Sequence, residues 1–420
     1  MPTAVLDIDL QNLPSQIDGL DHYEKAYVLI RFKGKPAGKI ILPVSNGSLS
    51  LREHYEQLIN AASGTLVTAW VYDHLDWDER TKTDFVAPKA TIAICTRDRP
   101  DDLKRCLDAL MKLPDDGQEI LVIDNCPSTD ATKELVKRYP SVTYICEQNA
   151  GLDNARNRAL KEAKHEIVAF TDDDATPDPM WLRALLKNFS HPLVLCVTGM
   201  TMPLELETKA QEAFEYYSSF CKGFSRKVYM GTKVNPLATG NVGAGANMAL
   251  RKEVVNLVGY FDEALDAGTP TQSGGDHEFF SRILLAGYHI VYEPEALSWH
   301  RHRRTWKETR KAIKGYGIGV YAYWTRLLLI EKEWQVLKLS YGWFVHTQLP
   351  NLVKSLLRRP NSQPLDLLLA ELHGCVLGPW KYFSSRKRAK RNQIKNEQKS
   401  LGKHRNTYPQ PLSFVEEAAG

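Results

Sequence analysis

The sequence predicts an α/β protein with a mainly parallel central sheet, a small N-terminal α+β unit and a helical C-terminal extension. Three observations carry that reading. From Lys89 onwards, short apolar runs alternate with segments of about ten residues that have one polar face, the pattern of strands and helices in a sheet covered on both sides. Three of the runs end in chemically capable side chains: Thr96-Arg97-Asp98, Asp124-Asn125 and Asp172-Asp173-Asp174. At 420 residues the chain is also longer than one hydrophobic core usually serves, so more than one unit is expected.

Residues 1–85 read as the α+β unit. Residues 26–32 and 39–43 form a hairpin around Lys35-Pro36-Ala37-Gly38, and a helix over 49–60 starts from Ser48 or Ser50 as cap. The acid-rich stretch 76–84 reads as a linker. Residues 86–305 form the main domain, with strands at 91–95, 119–124, 141–146 and 166–170 separated by helices at 101–111, 129–139 and 152–163. Such sheets bind ligands beyond the carboxyl ends of their strands, where the three polar strand ends fall. A strand at 194–200, a helix at 206–220, a glycine-rich segment at 240–245, a helix at 279–286 and a strand at 289–292 lead to the cation-rich 299–304. Residues 306–380 read as a helical, aromatic extension and 381–420 as a basic, disordered tail.

Composition sets the broad class. The chain is 43% hydrophobic and 25% charged, as in ordinary globular proteins. Its seven cysteines are scattered without a CxxC pair, which argues for reduced thiols in the cytoplasm and against a zinc ribbon or disulfide framework. The opening MPTAVLDIDL has neither the basic region nor the apolar core of a secretory signal. The net charge of +4 hides an asymmetry: residues 381–405 hold ten Lys or Arg against Glu397 alone, and residues 1–380 sum to about −3. The body is therefore not tuned for nucleic acid. The basic tail lacks the interleaved aromatics that stack single-stranded bases.

Three adjacent carboxylates after an apolar strand raise the local electrostatic energy unless a cation or donor groups compensate. Hard divalent ions such as Mn²⁺ or Mg²⁺ take carboxylate oxygens together with substrate phosphates, so Asp172, Asp173 and Asp174 are candidates for a metal and diphosphate site. The competing reading is a solvated turn, with Asp178 capping a helix at 180–187 and Pro179 at its first position. After the first strand, the backbone amides and cations of Thr96-Arg97-Asp98-Arg99-Pro100 can face a nucleotide. Asp124 can accept from a base N–H or a ribose hydroxyl, or can join Asn125 in an Asx-turn. Arg156, on the helix that follows Gly151, is either a fourth contributor or a surface charge. No G-x-G-x-x-G follows the first strand and no G-x-x-x-x-G-K-[ST] occurs, which disfavours dinucleotide-binding and P-loop readings.

A second cluster spans 274–304. Asp276 follows Gly274-Gly275 at a helix start, where a carboxylate activates an acceptor hydroxyl or merely caps the helix, with Glu278 as the next candidate base. His300 ends a strand within His300-Arg301-His302-Arg303-Arg304 and can complete a mixed oxygen–nitrogen metal shell.

Taken in order, these segments resemble the family 2 glycosyltransferases, inverting enzymes of the GT-A fold. The resemblance is carried by 93–100, 121–125, 169–174, 243–249 with Asn247, 275–279 and Trp299-His300, and covers about residues 90–304. It implies a nucleoside-diphosphate sugar as donor. Thr96, Arg97, Asp124, Arg156, Asp172, Asp173 and Asn247 would hold the donor, and Asp172, Asp174 and His300 the Mn²⁺ or Mg²⁺. Asp276 would be the catalytic base. Gly275 departs from the pattern, since many relatives place an acid there. The Gln-x-x-Arg-Trp signature and membrane spans of processive polysaccharide synthases are missing, so one sugar is expected per encounter. A saccharide, a lipid-linked saccharide or a protein are all compatible acceptors. The alternatives are a sugar nucleotidyltransferase and a non-catalytic carbohydrate-binding protein on the same fold.

The extension raises a further expectation. Residues 316–330 are apolar and aromatic, yet too short to span a bilayer, and 334–346 mix aromatics with cations as an interfacial helix does. The protein is thus expected in the cytoplasm, with the basic block 381–405 able to meet anionic headgroups on the inner face of a membrane. The competing reading packs these helices on the main domain or into a homodimer.

Overall fold

The computed structural model describes residues 2–75 and 87–405. The first unit comprises β1 (Thr3–Asp9), β2 (Gln16–Ile17), β3 (Lys25–Phe32), β4 (Lys35–Pro43), β5 (Leu49–Ser50) and α1 (Tyr55–Leu75). Strand β3 is central, parallel to β1 and antiparallel to β4, while β2 pairs with β5. The hairpin turns at Lys33-Gly34, earlier than expected, because both residues adopt the positive φ (53° and 73°) that a tight two-residue connection requires. Residues 49–50 are strand rather than the start of a helix, since Leu49 is buried through its pairing with Ile17; α1 begins at Tyr55. This unit has its own core around Val28, Ile30, Leu42 and Leu58, but it is not separate. Tyr27 and Leu29 pack on Met200, Met202, Tyr292 and Leu297 of the main domain, and Arg31 pairs with Asp178 at 2.7 Å. The expected linker at 76–84 lies outside the described residues.

In the main domain β6 (Ala90–Thr96), α2 (Pro100–Leu110), β7 (Glu119–Asn125), α3 (Ala131–Val136), β8 (Val142–Glu147), α4 (Leu152–Glu162) and β9 (Ile167–Asp172) follow the alternation read from sequence. Then come β10 (Ala175–Pro177), α5 (Trp181–Leu186), β11 (Val194–Pro203), α6 (Lys209–Ser218), β12 (Lys227–Met230), β13 (Asn247–Arg251), α7 (Val254–Val258), α8 (Gly275–Leu285) and β14 (His289–His300). Sheet order is β8-β7-β6-β9-β13-β11-β14-β10, with β12 on β14. The long strands run parallel except β13, which is antiparallel to both β9 and β11. Separate apolar cores cover the two faces: α2, α3 and α5 supply one through Leu107, Leu135 and Trp181, and α4 and α8 the other through Leu160, Phe279 and Ile283. One sheet edge therefore collects the ends of β6, β7, β9 and β14 and the start of β13.

The extension is α9 (Trp306–Arg326), α10 (Gln335–Trp343), α11 (Leu349–Leu356) and α12 (Leu365–Arg405). Helices α9 and α12 lie backbone to backbone. A Cβ at Gly317 would run into the carbonyl of Glu371, and one at Gly374 into that of Lys314, so only glycine permits the approach. The expectation of disorder from 381 fails over 381–405, which continues α12. That stretch keeps one small or apolar face, Tyr382, Ser385 and Ala389, at helical spacing. Tyr382 donates to Asp262 at 3.0 Å and Arg388 to the carbonyls of Ala150 and Gly268 at 2.9 and 3.0 Å. Residues 406–420 lie outside the described residues.

Gly374→Val should therefore destabilise the protein by about 1–3 kcal/mol, the usual cost of overpacking. Denaturant unfolding of parent and variant tests this; an unchanged midpoint would mean that α12 is not seated on α9.

Candidate active site

Strand β9 delivers Asp172, and the turn Asp173-Asp174 leads straight into β10, which pairs with the end of β14 so that Ala175 lies opposite His300. That pairing sets His300 Nε2 3.0 Å from Asp174 Oδ1, while the Arg301 N–H donates to the Asp174 carbonyl at 2.9 Å. One ligand atom from each of Asp172, Asp174 and His300 falls within 4.8 Å of the others. On the opposite side the Arg99 guanidinium forks across two carboxylates, Nη1 to Asp173 Oδ1 at 2.6 Å and Nη2 to Asp174 Oδ2 at 2.8 Å. Thr96 Oγ1 donates to Asp173 Oδ2 at 2.7 Å.

The three acids therefore differ in role. Asp173 is buried with both oxygens engaged by Arg99 and Thr96, so it braces the turn and does not present itself to a ligand. Thr96 is spent on the same bond. Burial pushes the Asp172 and Asp173 carboxyls up, and the neighbouring Asp174 adds to it. Burial would raise Asp174 too, but His300, Arg99 and Arg303 outweigh it and hold that carboxyl far below the usual range. Asp174 Oδ1 faces only the His300 ring nitrogen, and His300 Nδ1 is buried without a partner. Two carboxylates and an imidazole, converging with unspent acceptor capacity, fit a hard divalent ion such as Mn²⁺ or Mg²⁺. The solvated-turn alternative does not hold for the triplet, although Asp178 Oδ1 does accept from the Met180 N–H at 3.1 Å at the start of α5.

Along the same edge, Asp124 is fully buried at the end of β7. Its Oδ2 accepts from the Tyr144 hydroxyl at 2.9 Å, its Oδ1 has no partner, and burial raises its pKa. An unsatisfied buried acceptor at a strand end suits a base N–H or a ribose hydroxyl. Asn125 does not form an Asx-turn. It clamps α4, accepting from the Gly151 N–H and donating to the Asn149 carbonyl, both at 2.8 Å. Arg97 is exposed at the rim beside Asp98, whose carboxylate ties the loop after β6 to the N–H and hydroxyl of Ser128.

Two predicted donor contacts are placed elsewhere. Asn247 is completely buried: Oδ1 accepts from Trp181 Nε1 at 2.8 Å and Nδ2 donates to the carbonyls of Met200 and Ala296, both at 2.9 Å. It rivets β13 to its neighbours, because β13 runs backwards and its first residue is enclosed by the sheet edge. Arg156 is neither a surface charge nor exposed to ligand. Its Nη1 meets Asp153 at 3.0 Å and Asp266 at 2.7 Å, and the charges of Asp276 and Asp172 also support it.

Asp276 sits half-buried in the first turn of α8 after Gly274, whose φ is 99°. Its Oδ1 accepts from the His277 N–H at 2.8 Å and its Oδ2 from the Gly245 N–H at 2.7 Å, so both oxygens are held by backbone, while the N-cap of α8 is Gly274 without a side-chain cap bond. Burial would raise its pKa, but His277, Arg156 and the two backbone N–H groups lower it, leaving a carboxylate at neutral pH. Glu278 drops out as the alternative base: it is fully buried and pairs with Arg282 at 2.6 Å and Arg326 at 2.7 Å. Sequence reading did not single out Arg99, Asp153 or Asp266. Arg99 was visible as a second cation after the first strand. Asp266 lies in an irregular loop at φ 70° and left no periodic signal.

Residues 91–256 match the family model for glycosyl transferase family 2. Glycosyltransferase AglE of Haloferax volcanii is 28% identical over 227 residues, which is 51% of this chain and 68% of that protein. The pre-mycofactocin glycosyltransferase of Mycobacterium tuberculosis is 28% identical over 232 residues, 54% of this chain but only 46% of its own length. A looser structural likeness, TM-score 0.48 at 17% identity, covers 75% of this chain and 94% of a Pyrobaculum calidifontis mannosyltransferase; it has no bearing on the site. The main domain is thus similar to the glycosyl transferases of family 2 over residues 91–256, and the relatives it matches are glycosyltransferases.

Gly275 has a local explanation, because a Cβ there would run into the Asp153 carboxylate. Gly275→Ala should cost about 1–3 kcal/mol, and Asp153→Ser in the same chain should recover part of the loss. Thermal melts decide it: a single variant melting with the parent would show that Asp153 does not fill that space.

Proposed function

We propose that this chain moves one sugar from a nucleoside-diphosphate sugar to an acceptor hydroxyl with inversion, with a divalent ion held by Asp172, Asp174 and His300. The observation that carries the reading is the convergence of that donor set with an ionised, half-buried Asp276 on one side of the sheet. The family likeness supports the reaction class.

In this reading Asp124 receives the base or ribose through its unpaired Oδ1, and Arg97 and Arg303 are the part-exposed cations available to the diphosphate. A bound divalent ion supplies charge neutralisation for the departing diphosphate. Asp276 removes the proton of the acceptor hydroxyl as that oxygen bonds to the anomeric carbon. The bond from that carbon to the diphosphate oxygen breaks on the opposite face, so a single displacement inverts the centre. Gly245 and His277 hold the base by their N–H groups, and Arg156 keeps it ionised from behind without touching the substrate.

Asp174→Ala and Asp174→Asn should both lose Mn²⁺-dependent affinity for a nucleoside diphosphate while circular dichroism shows a folded chain. Unchanged calorimetric affinity in either folded variant would remove Asp174 from the metal site. Asp276→Asn should keep donor binding and lose turnover by about 100-fold or more, the scale of a general base. Turnover at the parent rate would place the base elsewhere.

A further inference from the structure

The helical extension buries one apolar face and leaves a second one open. Helix α10 continues through a π-helical turn, Phe344–Gln348, into α11. Val336, Leu339 and Trp343 seat it against Tyr321, Trp324 and Leu327. On the far side Trp334 (67% exposed), Leu337, Tyr341 (69%) and Phe344 form an open stripe, and Leu349, Val353 and Leu356 are also exposed beyond the π turn. A plain α-helix advances ~100° per residue and would carry those last three away from the stripe. The π turn accommodates one more residue per turn and rotates them back into line. Exposed apolar residues therefore recur along the rod from Trp334 to Leu356, with Gln335, Lys338, His346, Thr347 and Lys354 exposed beside them.

Helix α12, which packs beside α11, repeats the pattern. Leu369, Val376, Trp380 (72% exposed) and Phe383 share one face, opposite the Gly374 and Gly378 side that meets α9. Lys387 and Arg391 continue that face. The charge is predominantly positive, with Asp366 and Glu371 as the acids at the start of α12. Residues 334–365 contain Lys338, Lys354, Arg358 and Arg359 and no acid, and residues 372–395 contain seven Lys or Arg and no acid.

We propose that this two-helix face docks on an anionic lipid surface. Exposed tryptophans and a tyrosine beside lysines and arginines suit the headgroup region, where the rings enter the apolar boundary and the cations meet lipid phosphates. A second copy of the chain would set the same positive charge against itself, which argues against a homodimer through this face. Among the described residues no helix is long and apolar enough to cross a membrane, so the contact is lateral. The inference does not depend on the proposed sugar transfer.

Flotation of the full chain with vesicles tests it, comparing pure phosphatidylcholine with vesicles containing about one third phosphatidylglycerol at physiological salt. The parent should float with the anionic vesicles and remain below with the neutral ones. Two variants separate the contributions: Trp334→Ser with Tyr341→Ser, and Lys354→Glu with Arg358→Glu and Arg359→Glu. Each should stay folded by circular dichroism, since all the altered side chains are exposed. Reversing three cations should weaken binding about 100-fold or more, at roughly fivefold for each charge brought near the surface. The proposal is overturned if the parent ignores anionic vesicles, or if both variants float like the parent. It is equally overturned if sedimentation shows a stable dimer that the Trp334 and Tyr341 changes dissolve.

Discussion

Three aspartates in succession at the end of a buried strand set an electrostatic problem that the surrounding domain is arranged to meet. Two unit charges about 4 Å apart at a protein surface repel by roughly 4 kcal/mol, so the turn is not tenable on its own. Arg99 answers from the loop after β6, with one planar guanidinium serving Asp173 and Asp174 together. His300 answers from the other side, brought there by the pairing of β10 with β14. What is left over is Asp172 and the buried Asp174 Oδ1: the imidazole meets the latter, and Asp172 has only the charges of His300 and Arg156 near it. The division between a bracing acid and presenting acids follows from which strand end each side chain can reach.

The same logic extends to the N-terminal unit. His302, two residues past His300, is buried with Nε2 3.2 Å from Glu215 Oε2. The other oxygen of Glu215 accepts from the Tyr27 hydroxyl at 2.8 Å and lies 3.3 Å from Lys39 Nζ. A residue pair from β3 and β4 thus reaches the segment that carries the imidazole of the site. The first unit is structurally part of the site's support, which its remoteness in sequence conceals.

The strands and their polar ends were legible because a buried parallel strand is a short apolar run and the ligand edge is where it stops. Asp124 lies at the end of β7 and Asp172 ends β9, His300 ends β14 beside Asp174, and Asp276 lies in the first turn of α8. Asn247 shows the limit of such reading: an asparagine in a glycine-rich segment reads the same whether it faces a ligand or a tryptophan. The sequence shows β14 as a strand at 289–292 and a separate strand end at His300, because Glu293, Pro294 and Glu295 interrupt the apolar pattern where its register with β11 also shifts. The helix through 381–405 was missed for the opposite reason. Its contact face is built from Tyr382, Ser385 and Ala389, and in a run of lysines and arginines small residues give little hydrophobic signal. Glycines 317 and 374 were visible as residues, but their purpose exists only between two helices that sequence does not show to be neighbours.

Pairing β10 with β14 joins segments well over a hundred residues apart. Contacts of that sequence separation are slow to form, because the intervening chain must first be ordered. The acid triplet is complete once β9 is laid down, yet its imidazole arrives only when β14 closes the far side of the sheet. A nascent or truncated chain that ends before β14 would therefore carry the charge of the site without its counterweight, in a strand end meant to be buried. Maturation of the site and completion of the domain are, in this architecture, a single late event.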